Sequence, residues 1–183
     1  MRAASLHQGP AGRAVVAFKE DGVRQLGGPL SALLARSVRD VLDDLGWEGG
    51  QPVWLVPIPT RRSARRARGA DPIADLAARA ARQLRSAGIP ANRCPGLIHV
   101  RDSIDQMGLG ASQRLANVAG TLRGAPMPGG MLVLVDDVTT TGATLAEAAR
   151  ALWASGHRDR VLGAATITWS AVGRHLASGE HRD

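Results

Sequence analysis

The hydrophobic positions of the chain form short apolar runs separated by longer stretches with helical spacing. Several runs are apolar throughout rather than alternating, which is typical of strands buried on both faces of a parallel sheet. Five runs predict strands, and in chain order they cover residues 14–18, 52–59, 96–100, 131–136 and 161–169.

Two long segments between these runs carry apolar residues every three or four positions, which predicts amphipathic helices. The first begins at Pro29, and the second has Asp71 as its N-cap and Pro72 as its first helical residue. A third helix is predicted over residues 142–155. Alternating strands and helices predict an α/β fold, with about five mostly parallel strands flanked by helices, in one domain whose core spans residues 14–169.

Candidate chemistry is concentrated where the fourth strand meets the third helix, in the segment LVLVDDVTTTGAT of residues 132–144. Asp136 and Asp137 end the strand, and carboxylates suit vicinal hydroxyls or a hydrated Mg²⁺ ion. The following loop leads to unpartnered helix amides, which with threonine hydroxyls suit a phosphate monoester. Gly142 lets the backbone approach such a ligand. A phosphate beside a diol indicates a ribose 5-phosphate.

Competing nucleotide-binding motifs do not occur in the sequence. The chain has no G-x-x-x-x-G-K-[ST] motif to hold a triphosphate and no G-x-G-x-x-G after a strand to hold a dinucleotide. The plain alternative is that Asp137 helps to cap a helix while the threonines form an ordinary turn. The joint occurrence of strand, acid pair, threonine loop and helix, in that order, favours the ligand site.

Composition narrows the classes of protein further. The 183 residues are 44% hydrophobic and 21% charged, as in an ordinary globular protein, and they hold one cysteine, which excludes an internal disulfide and a Cys-rich zinc site. Neither a membrane span nor a signal-peptide pattern is predicted, so a cytoplasmic location is expected.

The net charge is +7, from 22 arginines and the single lysine Lys19, and it suggests an anionic partner. Aromatic residues are too few for a base-stacking platform.

The segment of residues 132–144 closely resembles the phosphoribosyl-pyrophosphate (PRPP) signature of the type I phosphoribosyltransferases. The resemblance implies that Asp136 and Asp137 contact the ribose hydroxyls of PRPP and a Mg²⁺ ion. It also implies a parallel sheet of about five strands with a small hood over the site. The residues that would then surround the 5-phosphate are Val138, Thr139, Thr140, Thr141, Gly142, Ala143 and Thr144.

Further motifs resemble the ComF-type proteins of this family, over residues 14–169. They are V-P-I-P at residues 56–59, Arg68-Gly69, the segment AFKEDGVRQL near Phe18, and a pattern formed by Arg101, Gln106, Leu109, Arg114 and Asn117. The chain departs from ComF-type proteins in two ways. It has no N-terminal Cys-rich module, so no zinc is expected, and it has Ala70-Asp71-Pro72 where Phe-Asn-Gln is usual.

Two more roles follow from the resemblance. The loop behind the second strand would bind pyrophosphate, and Arg61, Arg62 and Arg68 would hold its charge. The alternative is a solvated basic loop. Residues 101–114, including Arg101 as a ligand residue, would form a lid that excludes water from PRPP. The alternative there is a plain connecting loop.

The expected function is that of a Mg²⁺-dependent, PRPP-binding phosphoribosyltransferase with an unidentified acceptor; homodimer formation is left open. Thr140 stands where enzymes for hypoxanthine and guanine have an aspartate, which disfavours 6-oxopurine acceptors. The alternative function is a non-catalytic PRPP-binding protein in DNA uptake or DNA-linked regulation. That alternative predicts DNA binding that weakens steeply with salt, and an anisotropy titration without binding at about 50 mM salt would contradict it.

Overall fold

The computed structural model describes residues 1–60, 71–101 and 118–170. Its strands are β1 (Arg2–Leu6), β2 (Val53–Pro57), β3 (Ala91–Arg93), β4 (Leu97–His99), β5 (Leu122–Gly124), β6 (Met131–Thr139) and β7 (Val161–Trp169). Its helices are α1 (Pro10–Lys19), α2 (Gly27–Asp44), α3 (Pro72–Ser86) and α4 (Ala143–Ala154).

The main sheet has five strands in the order β1-β7-β6-β2-β3, and every neighbouring pair is parallel. Strands β4 and β5 form a separate two-stranded antiparallel sheet. The predicted α/β class with a five-stranded parallel sheet is therefore confirmed, and the architecture is consistent with the type I phosphoribosyltransferase fold. Strand β3 lies next to β2 on one side of the sheet, and β7 lies next to β6 on the other side. The strand order therefore reverses between β2 and β6.

Helices cover both faces of the main sheet because its strands are apolar on both. One hydrophobic cluster joins α1, α2 and α3 to the sheet and includes the fully buried Leu34 and Val38. A second cluster on the opposite face joins α4 and the small sheet, and it includes Leu132 and Leu152. No helix within residues 1–60, 71–101 and 118–170 is both long and apolar enough to cross a membrane.

The predicted helices are present with small shifts at their ends. Helix α2 begins two residues before Pro29 and ends at Asp44. Helix α3 has Asp71 as its N-cap, whose carboxylate accepts a hydrogen bond from the Ala74 amide at 3.3 Å, and Pro72 as its first residue. Helix α4 begins directly after Gly142. These caps follow from residue types that can be identified in the sequence.

The prediction of a strand over residues 14–18 was wrong. These residues lie in α1, where Val15 and Phe18 are buried while Val16 is exposed, which is the pattern of an amphipathic helix. The first strand is instead β1, which pairs with β7 and, among the described residues, lies at the edge of the main sheet. An apolar run of five residues does not distinguish a strand from one face of a short helix.

The third predicted strand, over residues 96–100, forms but lies outside the main sheet. It corresponds to β4, which pairs with β5 in the small antiparallel sheet. The remaining strand of the main sheet is β3, a three-residue element that pairs with β2. Its sequence, Ala-Asn-Arg, has no apolar run that predicts a strand.

Glu147 fastens helix α4 to the small sheet. Its side chain is buried and accepts hydrogen bonds from the Leu122 amide at 3.0 Å and from the Arg150 guanidinium at 2.6 and 2.9 Å. Arg150 in turn donates to the Leu122 carbonyl at 3.1 Å. Burial alone would raise the pKa of Glu147, but the hydrogen bonds from Arg150 and Leu122 lower it overall. The carboxylate is thus held ionised in a fixed position.

Candidate functional site

The strand order of the main sheet reverses between β2 and β6, and both strands end at the carboxyl edge. Strand β2 ends with Pro57 opposite Val135, and the Ile58 amide still donates to the Val135 carbonyl at 2.9 Å. Strand β6 continues beyond this point to Thr139, and this extension pairs with β7. Ligands of parallel α/β sheets bind at such points, where the strand order reverses.

The strand that carries the acid pair is longer than predicted. The sequence predicted that it would end at Asp136, but the ladder with β7 continues through Asp136 opposite Thr166 and Val138 opposite Thr168 to Thr139 opposite Trp169. Strand β7 is nine residues long, as β6 is, and therefore supplies partners for the additional residues. The loop that precedes α4 consists only of residues 140–142.

The two carboxyl groups of the pair have different surroundings. Asp137 is buried, with 5% of its surface exposed, whereas Asp136 is half-buried and accepts a hydrogen bond from the Asp137 amide at 2.9 Å. Burial, and then the negative charge of Asp137, raise the pKa of Asp136 well above its usual range. A hydroxyl donor or a cation at Asp136 would favour its ionised form.

Lys19 is the cation that the structure places against this pair. Its ammonium lies 2.7 Å from Oδ2 of Asp137, and about a third of the lysine side chain is exposed. Lys19 is the last residue of α1, which Val15 and Phe18 fix in the core. Sequence reasoning assigned Lys19 no role in the site, because a contact between α1 and β6 depends on how the helix packs on the sheet.

The backbone behind the acid pair is also held from β1 and β7. The Thr168 hydroxyl donates to the Asp137 carbonyl at 3.4 Å, and the same hydroxyl lies 3.0 Å from Nδ1 of His7. The His7 amide donates to the Trp169 carbonyl at 2.8 Å, which joins the end of β1 to the end of β7. These contacts extend the candidate site across the carboxyl edge, although no motif indicated His7 or Thr168.

The loop of residues 140–142 ends in a conformation that favours glycine. Gly142 has φ of +76° and is the N-cap of α4, while a Cβ atom built there would meet no heavy atom within 4 Å. The constraint is therefore the backbone dihedral and not local space. Thr140 and Thr141 are exposed at the mouth of the helix, and the Thr141 hydroxyl accepts a hydrogen bond from the Ala143 amide at 3.3 Å.

The other predicted phosphate-loop residues are less accessible. Thr139 is buried at the end of β6, and its carbonyl accepts a hydrogen bond from the Ser170 amide at 2.9 Å. Ala143 is buried as well, whereas Val138 and Thr144 are half-buried. The exposed hydroxyls of the predicted set are therefore those of Thr140 and Thr141, which places the candidate phosphate position at the start of α4.

Helices α3 and α4 both begin at this edge, but their first turns differ. The start of α3 is capped by the Asp71 carboxylate and also carries Asp75. The start of α4 has a glycine N-cap and no acidic residue in its first turn, and the side-chain acceptor at its Ala143 amide is the neutral Thr141 hydroxyl. Because a helix N-terminus carries partial positive charge, the start of α4 is better suited to an external anion.

Of the remaining predicted site residues, the structure describes only Arg101. Arg61, Arg62 and Arg68 lie outside the described residues, and so does most of the predicted lid. Arg101 is exposed and donates to the Ala119 carbonyl, close to the start of β5. This hydrogen bond holds Arg101 against the backbone that leads into the small sheet.

The donor chemistry at the acid pair fits Mg²⁺. Carboxylate oxygens are the hard ligands that Mg²⁺ prefers, and this ion usually keeps several waters and takes further oxygens from a phosphorylated substrate. Within the described parts of the chain, no group of three or more histidine, cysteine, aspartate or glutamate side chains is arranged to hold a metal. Asp136 and Asp137 therefore suit a metal that arrives with ligands of its own.

Comparison with known proteins adds no family assignment. No protein-family model matches the chain, and no curated protein matches it significantly.

Proposed function

We propose that the protein binds PRPP as its Mg²⁺ complex and transfers the phosphoribosyl group to an acceptor with release of pyrophosphate. The observation that carries this proposal is the position of the complete signature segment, residues 132–144. Its acid pair lies on β6, next to the point where the strand order reverses, and its glycine is the N-cap of α4. Within a few residues, the segment thus combines carboxylates that can accept hydrogen bonds from hydroxyls with a helix start that suits an anion.

The two ends of the ribose would be held by different parts of the segment. The start of α4 and the hydroxyls of Thr140 and Thr141 would take the 5-phosphate. Asp136 and Asp137 would accept hydrogen bonds from the ribose hydroxyls. Fixing the sugar at both ends orients its anomeric carbon, which lowers the entropic cost of reaching the transition state.

The bound metal would offset negative charge on the departing pyrophosphate. Burial, and then the neighbouring charge of Asp137, raise the pKa of the Asp136 carboxyl. Ligand hydroxyls and a nearby cation would both stabilise its ionised form. Arg61, Arg62 and Arg68 remain proposed contacts for pyrophosphate, by resemblance to the family.

Melting temperature and pyrophosphate release test the proposal separately. A ligand of the native state at about 100 times its Kd stabilises by about 2.7 kcal/mol, so Mg·PRPP is expected to raise the melting temperature by several degrees. Pyrophosphate release across a panel of nucleobases and amines would then identify the acceptor. A thermal shift without release under any condition would favour the non-catalytic PRPP-binding function instead.

A further inference from the structure

We propose that Lys19 acts as the counter-ion of Asp137 and opposes the entry of a free divalent cation, so that the metal enters the acid pair together with a phosphorylated ribose. This inference rests on the proposed function for the identity of the ligand. The contact on which it depends, between the Lys19 ammonium and Oδ2 of Asp137, is 2.7 Å long.

The position of Lys19 is fixed by the packing of α1. Val15 and Phe18 of this helix are 2% and 5% exposed, and both belong to the cluster beneath the main sheet. The helix therefore delivers its last residue to the carboxyl edge. From there the side chain of Lys19 brings its ammonium into contact with Asp137.

Charge determines what this contact does to a metal. An ammonium beside a pair of carboxyl groups lowers the net negative charge of the pair by one unit, and so weakens its attraction for a divalent cation. The Lys19 charge also acts on Asp136, since it opposes the rise in the pKa of that carboxyl. Free Mg²⁺ would have to compete with a cation that is already in contact with Asp137.

PRPP would relieve the competition between Mg²⁺ and Lys19 for Asp137, because its phosphate oxygens offer the ammonium another negative partner. An ammonium on a flexible stem can turn from a carboxylate to a phosphate, and it is compact enough to do so in a narrow space. Of the 23 lysine and arginine residues in the chain, the other 22 are arginine. A lysine at this one position agrees with a role for a small, movable cation.

The test measures divalent binding without PRPP. Mn²⁺ is the probe, because its paramagnetism allows weak binding to be followed by water proton relaxation. Lys19→Met is expected to bind Mn²⁺ about tenfold more tightly than the unmodified protein, because one opposing charge is removed. Lys19→Arg keeps the charge and is expected to keep the original affinity.

Arg13→Met is the matched control. It removes a positive charge from an exposed position of the same helix and is expected to change Mn²⁺ affinity less than about twofold, since exposed charges are screened. Asp137→Asn gives a second comparison, because Lys19→Met should have little further effect on Mn²⁺ affinity in that background.

Two outcomes would overturn the proposal. One is a folded Lys19→Met variant with unchanged or weaker Mn²⁺ affinity, which would leave Lys19 a purely structural role; if this variant does not fold, Lys19→Gln takes its place. The other is an equal gain in Arg13→Met, which would indicate a general charge effect. Failure of PRPP to bind would instead contradict the proposed function, and the Mn²⁺ comparison would still decide the role of Lys19.

Discussion

Gly142→Val is expected to weaken the binding of both Mg·PRPP and inorganic phosphate by about a hundredfold. Gly142 has φ of +76°, which a β-branched residue adopts only under strain. The strained loop would relax by moving the first amides of α4, and these are the proposed phosphate ligands. Calorimetric titrations with each ligand measure the loss.

Gly156→Val provides a matched control at the other end of α4. Gly156 has φ of +81°, and a Cβ atom there would also meet no heavy atom within 4 Å. Both variants are expected to lose stability through backbone strain of about 1–3 kcal/mol. Only Gly142→Val should lose phosphate binding, and equal losses in the two variants would mean that the start of α4 is not the phosphate site.

Asp137→Asn distinguishes the role of the carboxylates in ligand binding from that of the phosphate loop. It keeps the size of the side chain but removes the charge that faces Lys19 and, in the proposed function, the ribose hydroxyls. Binding of Mg·PRPP should weaken, whereas inorganic phosphate should be little affected because the start of α4 is intact. If Asp137→Asn lost the binding of inorganic phosphate as completely as that of PRPP, the assignment of the carboxylates to the ribose and of the start of α4 to the phosphate would be wrong.

Glu147→Ala is expected to lower the free energy of unfolding by about 3 kcal/mol. The substitution leaves the Leu122 amide without its acceptor and removes the partner of Arg150. Arg150→Ala should cost less, about 2 kcal/mol, because the buried Glu147 carboxylate then loses its charged partner but keeps the hydrogen bond from the Leu122 amide. Urea denaturation of the three proteins gives the comparison, and equal losses in both variants would contradict an anchor centred on Glu147.

The stabilisation by Glu147 should depend on pH in a defined direction. Because folding lowers the pKa of this carboxyl, its contribution is fully present above the ordinary glutamate range and is lost as the pH falls through the folded value. The difference in stability between the unmodified protein and Glu147→Gln should therefore shrink below about pH 4. A difference that stayed constant down to acid pH would mean that the charge of Glu147 does not contribute.

The sequence predicts the parts of this fold that local chemistry determines. Asp71 and Pro72 mark the start of α3, and the apolar run before Asp136 marks the central strand, because capping and burial depend on neighbouring residues alone. Strand β1 lacks such a signal, since its residues Arg-Ala-Ala-Ser-Leu form no apolar run and are partly buried or exposed. The length of β6 likewise depends on β7, which the sequence of β6 does not contain.

The residues of the candidate site likewise fall into those that the sequence indicates and those that only the fold brings in. The acid pair and the glycine of the loop are evident as a contiguous segment, and the structure places both at the carboxyl edge. Lys19 and His7 reach that edge only through the packing of α1 and the pairing of β1 with β7. Contacts between residues far apart in the chain have no local sequence pattern, so these two contributions required the fold.

Isothermal titration calorimetry with PRPP, with and without Mg²⁺, tests the central claim most directly. The proposed site predicts saturable binding of PRPP in the presence of Mg²⁺, and weaker binding of PRPP without the metal and of ribose 5-phosphate, which lacks the pyrophosphate group. Gly142→Val should abolish the signal for all three at the same concentrations. Absence of heat from the unmodified protein at millimolar PRPP and Mg²⁺, in a sample shown by circular dichroism to be folded, would contradict the claim that residues 132–144 form a PRPP site.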